Sequence, residues 1–555
     1  MTFKVGVGKS NFAALRKAGN YYIDKTELLY ELVEETDHEV TLFTRPRRFG
    51  KTLMISMMEN FFNIRKDSSG IFEGLKITEH KEFCEKWLNQ YPVLLISLKD
   101  IEARTFNDAY DMLKVRLADV CKEYSDLKNN DCVNPFDAEI FVRLEAQTGS
   151  PADVKNALKT IMRMMHAVYD REVILLIDEY DVPLAKADRF YSSMLDVMRG
   201  MMGIALKDNE YLKFAVITGC LRIAKESIFT GTNNFASYSV LDEDFSEYFG
   251  FSENEVTQLL AAAGQKDKAD VIKEWYDGYV FGNSNVYCPW DVMNYMSALK
   301  KREHAKPKNY WKNTSHNEIL LTFVTRTDFF VSRKFEILMN GGTIVQTISD
   351  ELTYETLYSS EDHLWSVLLM TGYLTKAHAD EEGETVSLRI PNREIESIFE
   401  DTVVAYFKNT LDNSMQKSMM EALWNCDEQA ASKILSDLLW KTISYHDYHE
   451  DYYHAFLAGA FVGLGYEVAS NKEKGLGRPD LLLLDQKNRR AIIIEAKKSE
   501  KESRMEADCD EAIGQIITRK YAEGLYGYEL ILCYGISFFQ KQAKVKKFLP
   551  SVKKI

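Results

Sequence analysis

A glycine, a lysine and a threonine stand in a row where a predicted strand meets a predicted helix. The apolar stretch Val40–Thr44 leads into a turn that ends Gly-Lys-Thr, and a helical pattern covers residues 53–62. Backbone amides of such a turn bind phosphate oxygens, the lysine adds positive charge, and the threonine hydroxyl holds Mg²⁺. Arg45 stands where the usual pattern has a glycine. The pattern predicts that ATP and Mg²⁺ contact Arg48, Phe49, Gly50, Lys51 and Thr52.

A second apolar run ends in two acids. Residues 173–177 are apolar, and Asp178 and Glu179 follow them directly. At the end of a buried strand, the aspartate would complete the Mg²⁺ shell with Thr52, and the glutamate would polarise the attacking water. The alternative is a solvent-exposed strand end, because Asp-Glu after a strand is common by chance.

A third apolar run carries polar residues that could sense the nucleotide. Residues 212–217 are followed by Thr218, at a position suited to a γ-phosphate sensor. Arg222 lies shortly after it and could reach the γ-phosphate, although a surface salt bridge is the alternative. Arg45, Arg47 and Arg48 likewise either bind phosphate or pair with acids elsewhere in the chain, and the sequence leaves both readings open.

The C-terminal region contains two acids and a lysine with a defined spacing. Pro479-Asp480 opens an apolar run, a turn follows, and the next apolar run ends in Glu495-Ala496-Lys497. Glu495 and Lys497 share a strand face because side chains alternate, and Asp480 would meet Glu495 on the neighbouring strand. The two carboxylates would bind Mg²⁺ or Mn²⁺, and Lys497 would orient a metal-activated water. This order matches the PD-(D/E)xK nuclease core, and a surface hairpin with coincidental charges is the alternative.

Two more residues are candidates for this second site. Gln515 lies on a predicted helix and matches the glutamine that such nuclease folds often place beside the metal. Glu450 could add a carboxylate to the metal from the helix that precedes the strands. The nearby His446, His449 and His454 imitate a zinc cluster but lack the strict pairing of zinc sites.

The elements that must position these residues follow from strand and helix patterns. Strand–helix alternation through about residue 240 predicts a parallel sheet with helices on both faces, where ligands bind at the carboxyl ends of the strands. We therefore predict an α/β P-loop NTPase domain over residues 1–250. Residues 251–440 are predicted as a mostly helical lid or linker, with Ser252 capping a helix and a hairpin between residues 372–377 and 386–390. Residues 441–555 are predicted as a restriction-endonuclease-like α/β domain whose sheet is closed by the strand at residues 529–534.

Composition limits the class of protein. The 555 residues carry a net charge of −15, which argues against nucleic-acid binding along the whole chain. Residues 471–555 hold 18 Lys and Arg against 12 Asp and Glu, whereas the first 470 residues carry a net charge of −21. A basic C-terminal domain favours nucleic acid as a partner, DNA rather than RNA. The scattered cysteines and the lack of a signal peptide or a membrane-length apolar run predict a cytoplasmic protein without membrane contact, and a homo-oligomer stays open.

Several motifs together resemble a known family. They include Tyr-Ile-Asp-Lys-Thr, the phosphate loop, Asp-Glu-Tyr-Asp, Thr-Gly and Trp-Tyr-Asp-Gly-Tyr, and they resemble the predicted AAA-ATPase-like proteins of bacteria and archaea. That family's loop itself reads Arg-Pro-Arg-Arg-Phe-Gly-Lys, so Arg45 fits it. The resemblance also implies a C-terminal PD-(D/E)xK nuclease-type domain. The motifs occupy residues 22–26, 45–52, 178–181, 218–219, 227–229, 233–234 and 275–279.

These patterns predict an ATPase whose C-terminal metal-dependent domain cleaves nucleic acid under the control of ATP. The leading alternative is an NTPase switch in signalling or defence that uses a degenerate nuclease fold only to bind nucleic acid or a partner. Glu495 and Lys497 speak against it, because a retired site has no reason to keep charges that are costly to desolvate. A structural or interaction protein with inactive domains is a third alternative, which Lys51 and Asp178 disfavour.

Overall fold

The computed structural model divides the chain into two compact units. The first unit comprises Met1–Trp311 and Val345–Glu394, and the second comprises Lys312–Ile344 and Ile395–Ile555. The three-domain division at residues 250 and 440 stays a prediction. The structure describes residues 3–187, 189–222, 229, 235–311, 320, 331–339, 341–349, 352, 360–378, 385–410, 413–442, 453, 456–457, 461, 467–469, 479–525 and 527–550.

A five-stranded sheet organises the first unit. Its strands are β1 (Val40–Thr44), β2 (Val93–Ser97), β3 (Val173–Asp178), β4 (Leu212–Gly219) and β5 (Phe235–Tyr238). They run parallel in the order β2-β3-β4-β1-β5, so β4 separates the strand before the phosphate loop from the strand that ends in Asp178. Parallel strands that are covered on both faces are apolar throughout. For this reason the apolar runs in the sequence predict these strands. The predicted α/β class is confirmed, while β5 was not predicted.

Helices cover both faces of this sheet. Leu175 and Ile177 of β3 belong to an apolar core that includes residues of the helices Phe106–Glu123, Pro151–Tyr169 and Tyr191–Leu206. On the opposite face, the ring of Phe214 on β4 lies 5.5 Å from the ring of Phe62, at the end of the helix Lys51–Phe62. The helices of this part are α1 (Phe12–Lys17), α2 (Glu27–Glu34), α3 (Lys51–Phe62), α4 (Ser69–Phe72), α5 (Lys81–Trp87), α6 (Phe106–Glu123), α7 (Pro135–Glu145), α8 (Pro151–Tyr169), α9 (Val182–Ala185) and α10 (Tyr191–Leu206).

The middle of the chain is mostly helical, as predicted. Ser252 caps its first helix by accepting the Glu255 N–H, in a reciprocal capping box. The helices from there onward are α11 (Glu253–Ala263), α12 (Ala269–Tyr276), α13 (Pro289–Lys301), α14 (Val331–Met339), α15 (Glu361–Thr371), α16 (Arg393–Thr410), α17 (Asn413–Trp424), α18 (Glu428–Thr442) and α19 (Met505–Thr518).

Short strands that the sequence analysis partly missed interrupt these helices. β6 (Tyr279–Phe281) and β7 (Ser284–Val286) form a hairpin, and β8 (Ile344–Thr347) joins a three-stranded sheet in the order β8-β10-β9. The expected hairpin corresponds to β9 (Thr375–Lys376) and β10 (Thr385–Arg389), which pair antiparallel. Most of its turn lies outside the described residues.

The second unit contains a mixed sheet of β11 (Glu467–Ala469), β12 (Leu481–Asp485), β13 (Arg490–Lys498), β14 (Leu530–Phe539) and β15 (Gln542–Phe548). The order is β11 to β15 in sequence, and only β13 and β14 pair in parallel. The prediction that the strand at residues 529–534 closes the sheet is wrong, because β15 lies outside it. β15 escaped notice because it alternates buried Ala543 and Val545 with lysines, the pattern of a strand with one solvated face.

Two general features accompany this fold. All eight cysteines are free thiols. Among the helices that the structure describes, none combines the length and the apolar composition needed to cross a membrane.

Candidate nucleotide-binding and metal sites

The phosphate loop joins β1 to α3, and its backbone makes two left-handed turns. Arg48 has a φ of 75° and Gly50 a φ of 88°, a region that glycine occupies freely and other residues rarely. Lys51 begins α3 and is 6% exposed. Its Nζ donates to the carbonyl oxygens of Arg45 at 2.7 Å and Pro46 at 2.9 Å. The lysine amine is thus folded back onto the loop that precedes it.

Arg45 replaces the expected glycine without strain because its backbone does not adopt a positive φ. Its guanidinium is fully buried, and Nη1 donates to the carbonyl oxygens of Thr44 at 2.9 Å and Tyr238 at 2.7 Å. The group lies 4.8 Å from the ring centroid of Phe249 and 5.7 Å from that of Phe281. Burial lowers its pKa to about 9. Arg45 therefore fastens β1 to β5 inside the core and is not exposed to a ligand.

We expect Arg45→Gly, which restores the usual loop pattern, to destabilise the first unit by about 3 kcal/mol or more, because it leaves a cavity between two rings. Arg45→Met should be far milder, since methionine fills the space and removes a desolvated charge. Thermal unfolding of the full chain measures both variants. A glycine variant that melts at the wild-type temperature would contradict the buried role of Arg45.

The other predicted contacts of the loop differ in what they offer a ligand. The Arg48 guanidinium lies 4.1 Å from the ring centroid of Trp290. The Phe49 ring is buried, with its centroid 4.9 Å from those of Tyr279 and Phe281. Phe49 can therefore offer a ligand its backbone amide but not its ring.

Asp178 collects two hydroxyl groups at the carboxyl ends of three neighbouring strands. Thr52 Oγ1 donates to Asp178 Oδ2 at 3.0 Å, and Thr218 Oγ1 donates to Asp178 Oδ1 at 2.7 Å. Register explains the meeting, because Thr218 on β4 pairs with Phe43 on β1 while Ile217 pairs with Ile177 on β3. These carboxylate and hydroxyl oxygens are hard ligands of the kind that Mg²⁺ prefers, so the set fits the ion.

Glu179 follows Asp178 in a left-handed conformation, with a φ of 54°. Its backbone N–H donates to Thr218 Oγ1 at 3.3 Å. Burial raises the pKa of its carboxyl, the Lys51 charge opposes this, and Asp178 and Asp181 add to the rise. A raised pKa makes the Glu179 carboxylate a better proton acceptor than an ordinary glutamate.

Arg47 is a residue for which the sequence left two readings open. Burial lowers its pKa, but a hydrogen bond to the Cys220 thiol and the charges of Glu179 and Asp181 raise it overall. Cys220 N in turn donates to Asp181 Oδ2 at 3.0 Å. The Arg47 guanidinium therefore lies on the same side of the loop as Glu179. The order of residues in the sequence could not predict this.

Gly219 and Arg222 follow Thr218 at the end of β4. A Cβ on Gly219 would lie 2.5 Å from the Tyr180 ring, so only glycine permits the ends of β3 and β4 to approach this closely. Arg222 is half-buried, and its carbonyl oxygen accepts the Leu352 N–H at 3.4 Å. A γ-phosphate contact by Arg222 stays a prediction.

In the second unit, Asp480 and Glu495 face each other across two antiparallel strands. Leu481 pairs with Ile494, so Asp480, which precedes β12, falls opposite Glu495. Asp480 N donates to Glu495 Oε2 at 3.3 Å, and Ala496 N donates to Asp480 Oδ2 at 2.7 Å. Lys497 lies two residues beyond Glu495 on the same strand face and is half-buried.

The electrostatics of this acid pair favour a bound cation. Glu495 is 2% exposed. Burial raises the pKa of its carboxyl, the Asp480 charge raises it further, and Lys497 and Arg519 oppose the rise. A buried acid and a half-buried acid held this close repel each other unless a proton or a cation lies between them. Asp480 and Glu495 therefore fit a Mg²⁺ or Mn²⁺ ion, whose hard charge suits carboxylate oxygens.

Helix α19 and the turn after it bring three more side chains to this region. Gln515 hydrogen-bonds the buried Tyr521, whose pKa is raised by burial and by Glu495 and is held down in part by Gln515 and Arg519. Arg519 was not predicted, although its i,i+4 spacing from Gln515 would have placed both on one helix face. Lys520, by contrast, pairs with Glu523 at 3.3 Å.

The remaining predicted metal ligand cannot be placed. Glu450 lies outside the described residues, as do His446, His449 and His454. In the part of the chain that the structure describes, no group of three or more His, Cys, Asp or Glu side chains is arranged to hold a metal ion. The described nuclease-like site is thus a two-carboxylate set.

Comparison with known proteins finds a relative along most of the chain and a solved structure. An "uncharacterized protein in vnfD 5'region" of Azotobacter chroococcum mcd 1 is 24% identical over 496 residues, which cover 87% of each chain. The Aeropyrum pernix ORC2 protein, solved as ADPNP-ADP complexes, matches with 10% identity and a TM-score of 0.22 over 72% of this chain and 95% of that one. A TM-score that low does not establish a shared fold.

Family models match both functional regions. Residues 6–229 match the model described as "Predicted AAA-ATPase", and residues 448–548 match that of the "PD-(D/E)XK nuclease superfamily". The two matches contain the phosphate loop with Asp178 and the acid pair with Lys497, respectively. The chain therefore joins a predicted AAA-ATPase domain to a C-terminal domain of the PD-(D/E)XK nuclease superfamily.

Proposed function

We propose that the chain binds and hydrolyses ATP at its phosphate loop, cleaves nucleic-acid phosphodiester bonds with its C-terminal domain, and uses ATP to control the cleavage. The observation that carries the proposal furthest is the pairing of the half-buried Asp480 with the buried Glu495, beside Lys497. The hydrogen bond between Thr52 and Asp178 supports the ATPase half in the same way, because both are hard ligands at one sheet edge.

In the ATPase half, each side chain has a task that follows from its position. Lys51 would exchange the loop carbonyls for phosphate oxygens, which are stronger partners because both groups are charged. Mg²⁺ supplies charge neutralisation of the phosphates when bound, and Thr52 and Asp178 would hold it. Glu179 would orient the attacking water and take up its proton, as its raised pKa allows. Thr218 would keep Asp178 in place through its 2.7 Å hydrogen bond.

In the nuclease half, Asp480 and Glu495 would hold Mg²⁺ or Mn²⁺, which supplies a bound water that ionises near neutral pH. Lys497 would orient that water and stabilise negative charge that develops on the phosphate. Arg519 would bind a non-bridging phosphate oxygen, since a guanidinium matches phosphate geometry. Gln515 would hold the Tyr521 ring at the side of the site.

Charge on the second unit indicates which side nucleic acid would use. On β15, Lys546 pairs with Glu506 at 3.0 Å and Asp510 at 2.6 Å, and Lys544 also pairs with Glu506. These lysines are already neutralised by α19 and add little attraction for phosphate. The positive charges that are available to bind phosphate are therefore those of Lys497 and Arg519. We propose that DNA is the substrate and that it binds there.

Cleavage of labelled DNA and RNA by the full chain with Mg²⁺ or Mn²⁺ tests this proposal. Lys497→Ala should lower the cleavage rate by about 100-fold or more, because it removes charge stabilisation at the reacting phosphate. Lys498→Ala is the matched control, since the neighbouring side chain points to the opposite strand face and should cleave like the wild type. Nucleic-acid binding without cleavage at any metal concentration would instead support the binding-only alternative.

A further inference from the structure

Two acidic side chains that neither proposed reaction uses are hydrogen-bonded to each other in the interior of the first unit. Asp291 lies in the first turn of α13, Glu394 lies at the start of α16, and each is 1% exposed. Burial raises the pKa of both, and the Asp291 charge raises that of Glu394 further. Acids in such contact share one proton, so the pair keeps a single negative charge. Neither residue belongs to a motif that the sequence singled out.

The acid pair fastens a particular segment of backbone. Glu394 Oε1 accepts the Trp311 N–H at 2.9 Å and the Tyr310 N–H as well. The Trp290 indole, next to Asp291, donates to the Tyr310 carbonyl oxygen at 3.4 Å. The chain leaves the first unit directly after Trp311 and again directly after Glu394. Two of the chain segments that connect the first unit to the second therefore begin at this hydrogen-bonded cluster.

The same hydrogen-bonded cluster contacts the phosphate loop. Arg48 lies 4.1 Å over the Trp290 ring, and the Cys288 thiol donates to the Arg48 carbonyl oxygen at 4.0 Å. The Phe49 ring packs 4.9 Å from Tyr279, whose ring stacks 6.2 Å from that of Trp311. Two chains of contacts thus run from the loop to the Tyr310–Trp311 segment.

We propose that Asp291 and Glu394 are positioning residues for Arg48, and that they pass the nucleotide state of the phosphate loop to the segment at Tyr310 and Trp311. The inference rests on the proposed function and supplies its regulation. ATP would draw Arg48 from Trp290 toward phosphate oxygens. Arg48 stabilises the Asp291 carboxylate, so its departure strengthens proton retention by the pair and changes the acceptor that Tyr310 and Trp311 share.

If Asp291 and Glu394 share a proton, the stability of the Glu394→Gln variant should depend on pH differently from that of the wild type. A carboxyl whose pKa is higher in the folded than in the unfolded chain binds more protons when folded, so its contribution to stability falls as pH rises. Glutamine can accept both N–H groups, donate to Asp291, and cannot titrate. The variant should therefore gain melting temperature over the wild type, and the gain should grow from about pH 5 to pH 8. A difference that is constant with pH would overturn proton sharing.

Other titratable groups face the pair and must be weighed in that comparison. None is expected to change charge between pH 5 and 8, because the nearest neighbours are an arginine, tyrosines and a buried thiol. The titratable groups that face the pair are Arg48, Tyr276, Tyr279, Cys288 and Tyr310.

Hydrogen exchange of the Tyr310 and Trp311 amides in the full chain, with and without ATP, tests the coupling. In the wild type, ATP should change these exchange rates about fivefold or more. Glu394→Gln and Asp291→Asn should bind ATP yet lose most of that response. Lys213→Ala, which removes a surface ion pair with Glu172 at the far end of β4, should respond like the wild type.

The outcomes separate this inference from the proposed function. ATP binding without any change at these two amides would overturn the inference alone. A full response retained in both acid variants would also overturn it. A wild-type chain that does not bind ATP would overturn the proposed function and the inference together.

Discussion

Replacement of Lys51 by alanine is expected to lower ATP turnover by about 100-fold or more, because the amine that would neutralise the transferred phosphoryl group is lost. The prediction follows from the position of Lys51 at the start of α3, where its Nζ holds the carbonyl oxygens of Arg45 and Pro46. Two loop carbonyl oxygens and the Cys220 thiol, at 3.7 Å, are neutral partners of this buried cation, and a charged phosphate is the stronger partner that would replace them. Steady-state phosphate release by the full chain measures the effect.

A matched control makes this result specific. Lys213→Ala also removes one positive charge from the first unit, but at the amino end of β4, far along the strand from Thr218. It should turn over ATP at the wild-type rate. Equal turnover in Lys51→Ala and wild type would sink the assignment of the phosphate loop.

The second large effect is expected for Asp480→Asn, which should abolish metal-dependent cleavage. Loss of an outer-shell partner typically costs 10- to 100-fold in metal affinity or activity, and loss of a carboxylate ligand should cost more. The substitution also removes the charge that raises the pKa of Glu495. Metal-free unfolding should therefore show a more stable variant, because the repulsion between the half-buried Asp480 and the buried Glu495 is gone.

The pH profile of cleavage gives a further check on this pair. A carboxylate must be deprotonated to bind a metal ion, so protons compete with the metal at Glu495. Because its pKa is raised, the metal concentration needed for half-maximal cleavage should fall as pH rises through neutrality. Full cleavage in Asp480→Asn, or a metal requirement independent of pH, would contradict the assigned site.

The sequence predicted best what depends on continuous local patterns. Buried parallel strands are apolar throughout, so β1 to β4 could be read directly, and polar residues at their carboxyl ends could be expected to meet. Thr52 and Asp178, 126 residues apart, do meet at 3.0 Å. Asp480 and Glu495 could be expected to face each other for a similar reason, since a short hairpin fixes the register of its strands.

What the sequence could not predict depends on the direction of individual side chains. Nothing local shows that Arg45 turns into the core while Arg47 turns toward Glu179, because both lie in one irregular loop. The pairing of Asp291 with Glu394 joins helices that are far apart in the chain and belong to no motif. Helical spacing from Gln515 could have predicted Arg519. Glu450 lies outside the described residues.

The central claim is that ATP controls cleavage, and the cleavage rate of the full chain with and without ATP tests it most directly. We expect ATP to change the rate about fivefold or more in the wild type. Lys51→Ala should cleave at one rate in both conditions, and Lys213→Ala should respond to ATP as the wild type does. Equal cleavage with and without ATP, in a wild-type chain that both hydrolyses ATP and cuts nucleic acid, would contradict the account.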